Sequence, residues 1–100
     1  MRLSENLGLH EMIKSNTATR LNIDNNPTDE HIMNMILWAE NIFQPIRNHF
    51  GEPIFISSGY RSMRLNKAIG GSQYSQHCNG MAGDIDQDNK ATSVTNRDIF

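Results

Sequence analysis

One histidine and one aspartate, His77 and Asp84, stand seven positions apart in the run Ser75-Gln76-His77-Cys78-Asn79-Gly80-Met81-Ala82-Gly83-Asp84. Imidazole nitrogen and carboxylate oxygen are both zinc ligands, and a hydrolytic zinc site keeps one coordination position open for water. Gly80 lies between the two and allows the chain to reverse, so that a loop histidine faces a carboxylate on the following strand. Ala82 and Gly83, beside Asp84, are small enough for neighbouring backbone to come close. The spacing alone equally fits an exposed loop histidine and an ordinary strand-end aspartate.

The elements that must position this pair are legible in outline. Gly8 to Lys14 reads as a short helical turn, with Leu9, Met12 and Ile13 at helical spacing, and Ser15 to Pro27 reads as a polar loop closed by the turn residues Asp24-Asn25-Asn26-Pro27. Thr28 then offers an N-cap hydroxyl, and Asp29 and Glu30 put negative charge on the first turn of a helix, where its dipole favours it. Ile32, Met35, Ile36, Ala39, Ile42, Phe43 and Ile46 recur at three and four and predict one apolar stripe. Pro45 predicts a kink or a tightened last turn, and Gly51 the stop.

Ile54 to Ser57 is β-branched and aromatic between turn residues and predicts a buried strand. Ser62 caps a brief helix over Met63 to Ile69, which Gly70-Gly71 ends; Ser72 to Asn79 reads as loop and Met81 to Asp86 as a second strand. From Ala91 the chain is polar, with Thr95 or Asn96 the cap of a helix that Phe100 cuts short. The pattern as a whole is α+β: helices on one side of a small, mainly antiparallel sheet.

One hundred residues, 37% apolar and 20% charged, suit a single small domain over residues 1–100 with a modest core. A formal charge of −2 and the lack of a basic tract argue against nucleic acid as a partner. No apolar run approaches the length of a membrane span, and residues 1–20 hold no signal-peptide core, so synthesis in the cytoplasm without a secretory signal is expected. The single cysteine, Cys78, excludes an internal disulfide. A soft thiolate attracts zinc, but adjacent residues of an extended chain seldom point at one ion, so Cys78 reads as a pocket-wall or buried thiol.

Ser75-x-His77-x-x-Gly80-x-Ala82-x-Asp84, preceded by Ser57-Ser58-Gly59-Tyr60-Arg61-Ser62 and Leu65-Asn66, resembles the zinc D-alanyl-D-alanine peptidases of the M15 class and their phage endolysin relatives. Ser15-x-Thr17-Ala18, Ile23-Asp24-Asn25 and Pro45-Ile46-Arg47 look like the N-terminal half of the same family. The resemblance implies a hedgehog or DD-peptidase type of fold and hydrolysis of a peptide bond in peptidoglycan stem peptides, near D-alanine, at the cell wall. His77 and Asp84 match two of the family's three zinc ligands. Arg61 matches the arginine that faces the metal and stabilises negative charge on the substrate, which a guanidinium does well. Ser58, Tyr60, Ser75 and Gln76 flank this site as candidate substrate-binding residues, and each also reads as an ordinary turn residue.

The same resemblance predicts a general-base Glu and a third ligand His beyond Asp84, and the sequence has neither there. His10 falls on the first helical turn; His31 and His49, eighteen positions or five turns apart, share one helix face, His31 as polar surface and His49 as compensation of the helix-end dipole. Asp86, two after Asp84, shares its strand face and is a further candidate near the metal. The leading expectation is a C-terminally incomplete peptidase, with an exposed sheet edge prone to self-association. The alternative is a catalytically dead module that binds wall peptides or a protein partner.

Overall fold

The structure, a computed structural model, describes residues 1–88, 90 and 92–99; the expectations placed on Ala91 and Phe100 fall outside these. The chain runs β1 (Arg2–Ser4), β2 (Leu7–Gly8), α1 (Leu9–Ile13), α2 (Asn16–Leu21), α3 (Asp29–Trp38), a π turn (Ala39–Phe43), α4 (Gln44–Phe50), β3 (Ile56–Ser58), α5 (Met63–Ala68), a 3-10 turn (Gln76–Asn79), β4 (Asp84–Ile85) and α6 (Asn96–Ile99). The fold is α+β. Among the described residues its strands form two antiparallel pairs, β1 with β2 and β3 with β4, where one sheet was expected. None of the described helices is long and apolar enough to cross a membrane.

Thr28 begins α3 as its side chain predicts: its Oγ1 accepts from His31 N at 3.2 Å, with Asp29 and Glu30 on the first turn. Met35 and Phe43 are 0% and 1% exposed, burial that contributes about 1.5–3 kcal/mol for each side chain. They pack with Leu3 and Leu7 of the N-terminal hairpin, Met12 of α1, Trp38, Ile54, and Ile56 of β3.

The expected stripe breaks at Ile42, which is 48% exposed, whereas Trp38 and Gln44 are buried. The cause is the π turn. Pro45 has no N–H, and its ring would crowd the carbonyl of Asn41 in a regular helix. The chain widens just before it, Gln44 N donating to Ala39 O, and the extra residue rotates everything after it out of phase with α3. Asn41 Nδ2 donates to Leu37 O at 2.8 Å across the widened stretch. The turn is therefore widened, where a kink or a tightened last turn was expected.

Ser15 to Pro27 is not all loop. Ser15 Oγ accepts from Ala18 N at 3.1 Å and starts α2, which ends where Asn22 turns left-handed at φ 54°. The segment lacks an apolar stripe because only Ala18 of α2 is buried. The β1–β2 hairpin was not foreseen either, since strands of three and two residues are too short to show alternation.

The paired strands are shorter than the apolar runs that contain them. Ile56 pairs with Ile85 and Ser58 with Asp84, whereas Ile54 and Phe55 precede the ladder. Pro53 cannot donate to a ladder, and a side chain takes over: Gln87 Nε2 donates to Pro53 O at 2.9 Å and Gln87 Oε1 accepts from Phe55 N at 2.6 Å. Ser62 caps α5 by accepting from Leu65 N, and Gly51 ends α4 at φ 68° with its N–H on Arg47 O. Thr95 and Asp98 close the first turn of α6, Thr95 N donating to Asp98 Oδ2 at 2.8 Å.

Candidate metal centre

The loop expected over Ser72 to Asn79 contains the 3-10 turn that carries His77. Ser75 Oγ accepts from His77 N at 3.2 Å and caps the turn, and Gly80 ends it in a left-handed conformation at φ 77°. A Cβ on Gly80 would lie 2.5 Å from His31 O, so glycine is required there for space as well as for angle.

His77 Nδ1 lies 2.6 Å from Gly59 O. A carbonyl only accepts, so Nδ1 carries the proton and the lone pair of the neutral ring sits on Nε2. Nε2 lies 3.6 Å from Asp84 Oδ1, beyond hydrogen-bond length. The histidine side chain is 12% exposed and the aspartate 62%, so the pair is anchored on one side and open to solvent on the other. Asp84 opens β4 opposite Ser58, and its carbonyl accepts from Ser57 Oγ at 3.3 Å.

Arg61 braces the same turn. Its backbone N–H donates to His77 O at 3.1 Å and its Nη2 to Ser75 Oγ at 3.3 Å, while its Nε is buried without a partner among the described residues. Cys78 is buried; burial pushes its thiol up, and Arg61 pulls weakly the other way. Gln76 is exposed, and its carbonyl accepts from Met81 N.

Ser58, Tyr60 and Arg61 share a cleft of about 420 Å³ with Lys14, Ser15 and Thr17; His77, Asp84, Ser75 and Gln76 are not part of its lining. The sequence candidates thus fall on two adjoining surfaces joined by the segment 58–61. Tyr60 is buried, with its hydroxyl 3.0 Å from His31 Nδ1, and its pKa is pushed up by burial, then by Cys78 and Asp24. His31 is therefore a half-buried partner of Tyr60, where plain polar surface was expected. His49 is exposed and stacks edge-on against Phe50, and the π turn removes the common face proposed for it with His31. Asp86 accepts from Asp88 N and Asn96 Nδ2, which ties it to the loop after β4.

The family model of Peptidase M15 matches residues 5–97. The chain belongs to the peptidase M15 family. No curated protein and no solved structure matches it.

In this M15 chain the donor set suits a divalent metal in two respects. The tautomer leaves Nε2 free, and tetrahedral zinc, with ligands at about 2.0–2.1 Å, sets a nitrogen and an oxygen about 3.3 Å apart, close to the 3.6 Å between Nε2 and Oδ1. In a third respect the shell is partial: among the described residues no group of three His, Cys, Asp or Glu side chains comes together. Sequence reasoning missed the Gly59 carbonyl, because a backbone oxygen eighteen residues away leaves no residue-type signal. It also missed Asn25, whose side chain bonds Ile13 O, Tyr60 O and Ser62 N. Its signs were a place in a turn-forming run and in the stretch Ile23-Asp24-Asn25 that resembles the family, and neither gives it a role.

Proposed function

We propose that this M15 chain is a zinc metallopeptidase of peptidoglycan, cutting a stem-peptide bond near D-alanine as a D-alanyl-D-alanine carboxypeptidase or an endolysin-type hydrolase does. The observation that supports this most is His77: Nδ1 is held by Gly59 O, and Nε2 faces Asp84 at 3.6 Å. His77 and Asp84 are the residues that would hold the metal. Zinc, when bound, supplies a Lewis acid and lowers the pKa of a bound water toward neutrality.

The remaining chemistry belongs to this chain's own groups. Gly59 keeps the Nδ1 proton in place, so the ring neither flips nor changes tautomer as Nε2 engages. Ser75 Oγ accepts from Nη2 of Arg61 and fixes that end of the guanidinium. Its Nε is buried, so the remaining N–H groups of Nη1 and Nη2 are the ones that would serve a substrate carboxylate or the oxyanion of a tetrahedral intermediate, and one donor in such a place is worth about 3–4 kcal/mol of barrier. Ser58 and Tyr60 stand on the cleft wall where a peptide backbone would lie, and Gln76 is exposed next to His77.

A second reading, a wall-peptide-binding module without turnover, is favoured by one observation. Among the described residues no third His, Cys, Asp or Glu side chain joins His77 and Asp84. Incubating the chain with zinc and a stem pentapeptide ending in D-alanyl-D-alanine separates the two. Release of D-alanine or of a shorter stem peptide that Arg61→Ala abolishes supports the peptidase; saturable binding that leaves the peptide intact supports the module.

A further inference from the structure

The segment 59–62 directs its backbone polar groups alternately to two sides, as an extended strand does. On one side Gly59 O accepts from His77 Nδ1 and Arg61 N donates to His77 O. On the other, Tyr60 N donates to Met12 O at 2.7 Å, and the next two groups meet a side chain in place of a strand. Asn25 Nδ2 donates to Tyr60 O at 3.1 Å, and Asn25 Oδ1 accepts from Ser62 N at 2.7 Å. The same Nδ2 donates to Ile13 O at 2.7 Å, which ties the clamp to the end of α1.

We propose that Asn25 is a positioning residue for the metal pair: its carboxamide stands in for a neighbouring strand, brackets Arg61 at residues 60 and 62, and so holds Gly59 O where it fixes the His77 tautomer. This rests on the reading of His77 and Asp84 as metal ligands for its functional meaning, though not for its geometry. A primary amide is the side chain that does this, because it both donates and accepts in one plane. Aspartate has nearly the same shape, but its carboxylate only accepts. It keeps Ser62 N and turns its second oxygen toward the carbonyls of Ile13 and Tyr60, which it repels.

The test uses the metal-free full chain, above the pH at which histidine is neutral, with long-range proton–nitrogen correlation spectra of the His77 ring and amide exchange of Arg61. In the unmodified chain His77 is the Nδ1–H tautomer. In Asn25→Asp the ring populates both tautomers and Arg61 N–H exchanges about tenfold faster. A folded Asn25→Asp variant with the His77 tautomer and Arg61 exchange unchanged overturns the proposal.

Should that variant fail to fold, the unmodified chain decides. The side-chain amide protons of Asn25 exchange about tenfold more slowly than those of exposed Asn16 if the clamp exists, and equal rates overturn it. Zinc titration of the unmodified chain is read separately. Absent zinc binding with a shifted tautomer rejects the metal site and leaves the clamp, and the reverse pattern rejects the clamp alone.

Discussion

His77 Nδ1 donates to the carbonyl of Gly59 at 2.6 Å, and that contact decides which nitrogen the ring offers outward. A loop residue is thereby oriented by the end of a strand eighteen positions earlier, so whatever displaces residues 59–61 also displaces His77.

Gly59→Ala tests this dependence on packing. A Cβ at Gly59 would lie 2.5 Å from Met12 O, and a backbone atom cannot swing aside as a side-chain tip does. The expected cost is about 1–3 kcal/mol of folding free energy, read from the urea midpoint at constant slope. An unchanged midpoint would show that the segment has room to spare.

The π turn makes opposite predictions for two adjacent residues. Phe43 is 1% exposed and Ile42 48% exposed. Phe43→Ala is expected to cost about 3–5 kcal/mol, and Ile42→Ala less than about 1 kcal/mol. Comparable losses at both positions would mean that the helix keeps a regular period through Pro45.

Tyr60 gives a pH dependence. Burial, with Cys78 and Asp24, pushes its pKa up in the folded chain. The unfolded chain therefore loses the phenolic proton first, near the ordinary value of about 10. The stabilisation that comes from keeping the phenol neutral is complete below that pH and is lost as the pH rises through the folded value. Tyr60→Phe is predicted to flatten the alkaline decline in thermal stability above about pH 10. Near neutral pH it is expected to cost about 1 kcal/mol by removing the bond to His31. Parallel pH curves for the two proteins would assign the alkaline decline to other groups.

Ser75 holds both the 3-10 turn and Arg61, so Ser75→Ala removes an N-cap and a guanidinium contact together. A loss of about 1 kcal/mol is expected. Ser72→Ala removes only the contact of Ser72 Oγ with Tyr74 N and is expected to cost less. The difference between the two denaturation midpoints is the measurement.

What could be read from the sequence was local. Thr28 and Ser62 announced their helices because a hydroxyl three residues before an orphan N–H is a short-range signal, and Gly51 announced a stop for the same kind of reason. The nearness of His77 to Asp84 was legible because Gly80 lets the chain reverse between them. The rest depended on contacts distant in sequence. Gln87 and Asn25 extend strands with side-chain amides from thirty or more residues away, a role that no pattern of polar residues encodes. Helix α2 is set by its Ser15 cap and one buried alanine, too little for a periodic pattern. The phase slip at Ala39–Phe43 needed the backbone, since the apolar spacing around it is regular in sequence.

The metal reading is tested most directly by zinc titration calorimetry on the unmodified chain beside His77→Ala and Asp84→Asn. The prediction is one zinc per chain, with affinity falling by more than about a hundredfold in each variant, beyond what loss of a supporting hydrogen bond does. Heats that are the same for all three proteins would contradict a metal site at His77 and Asp84.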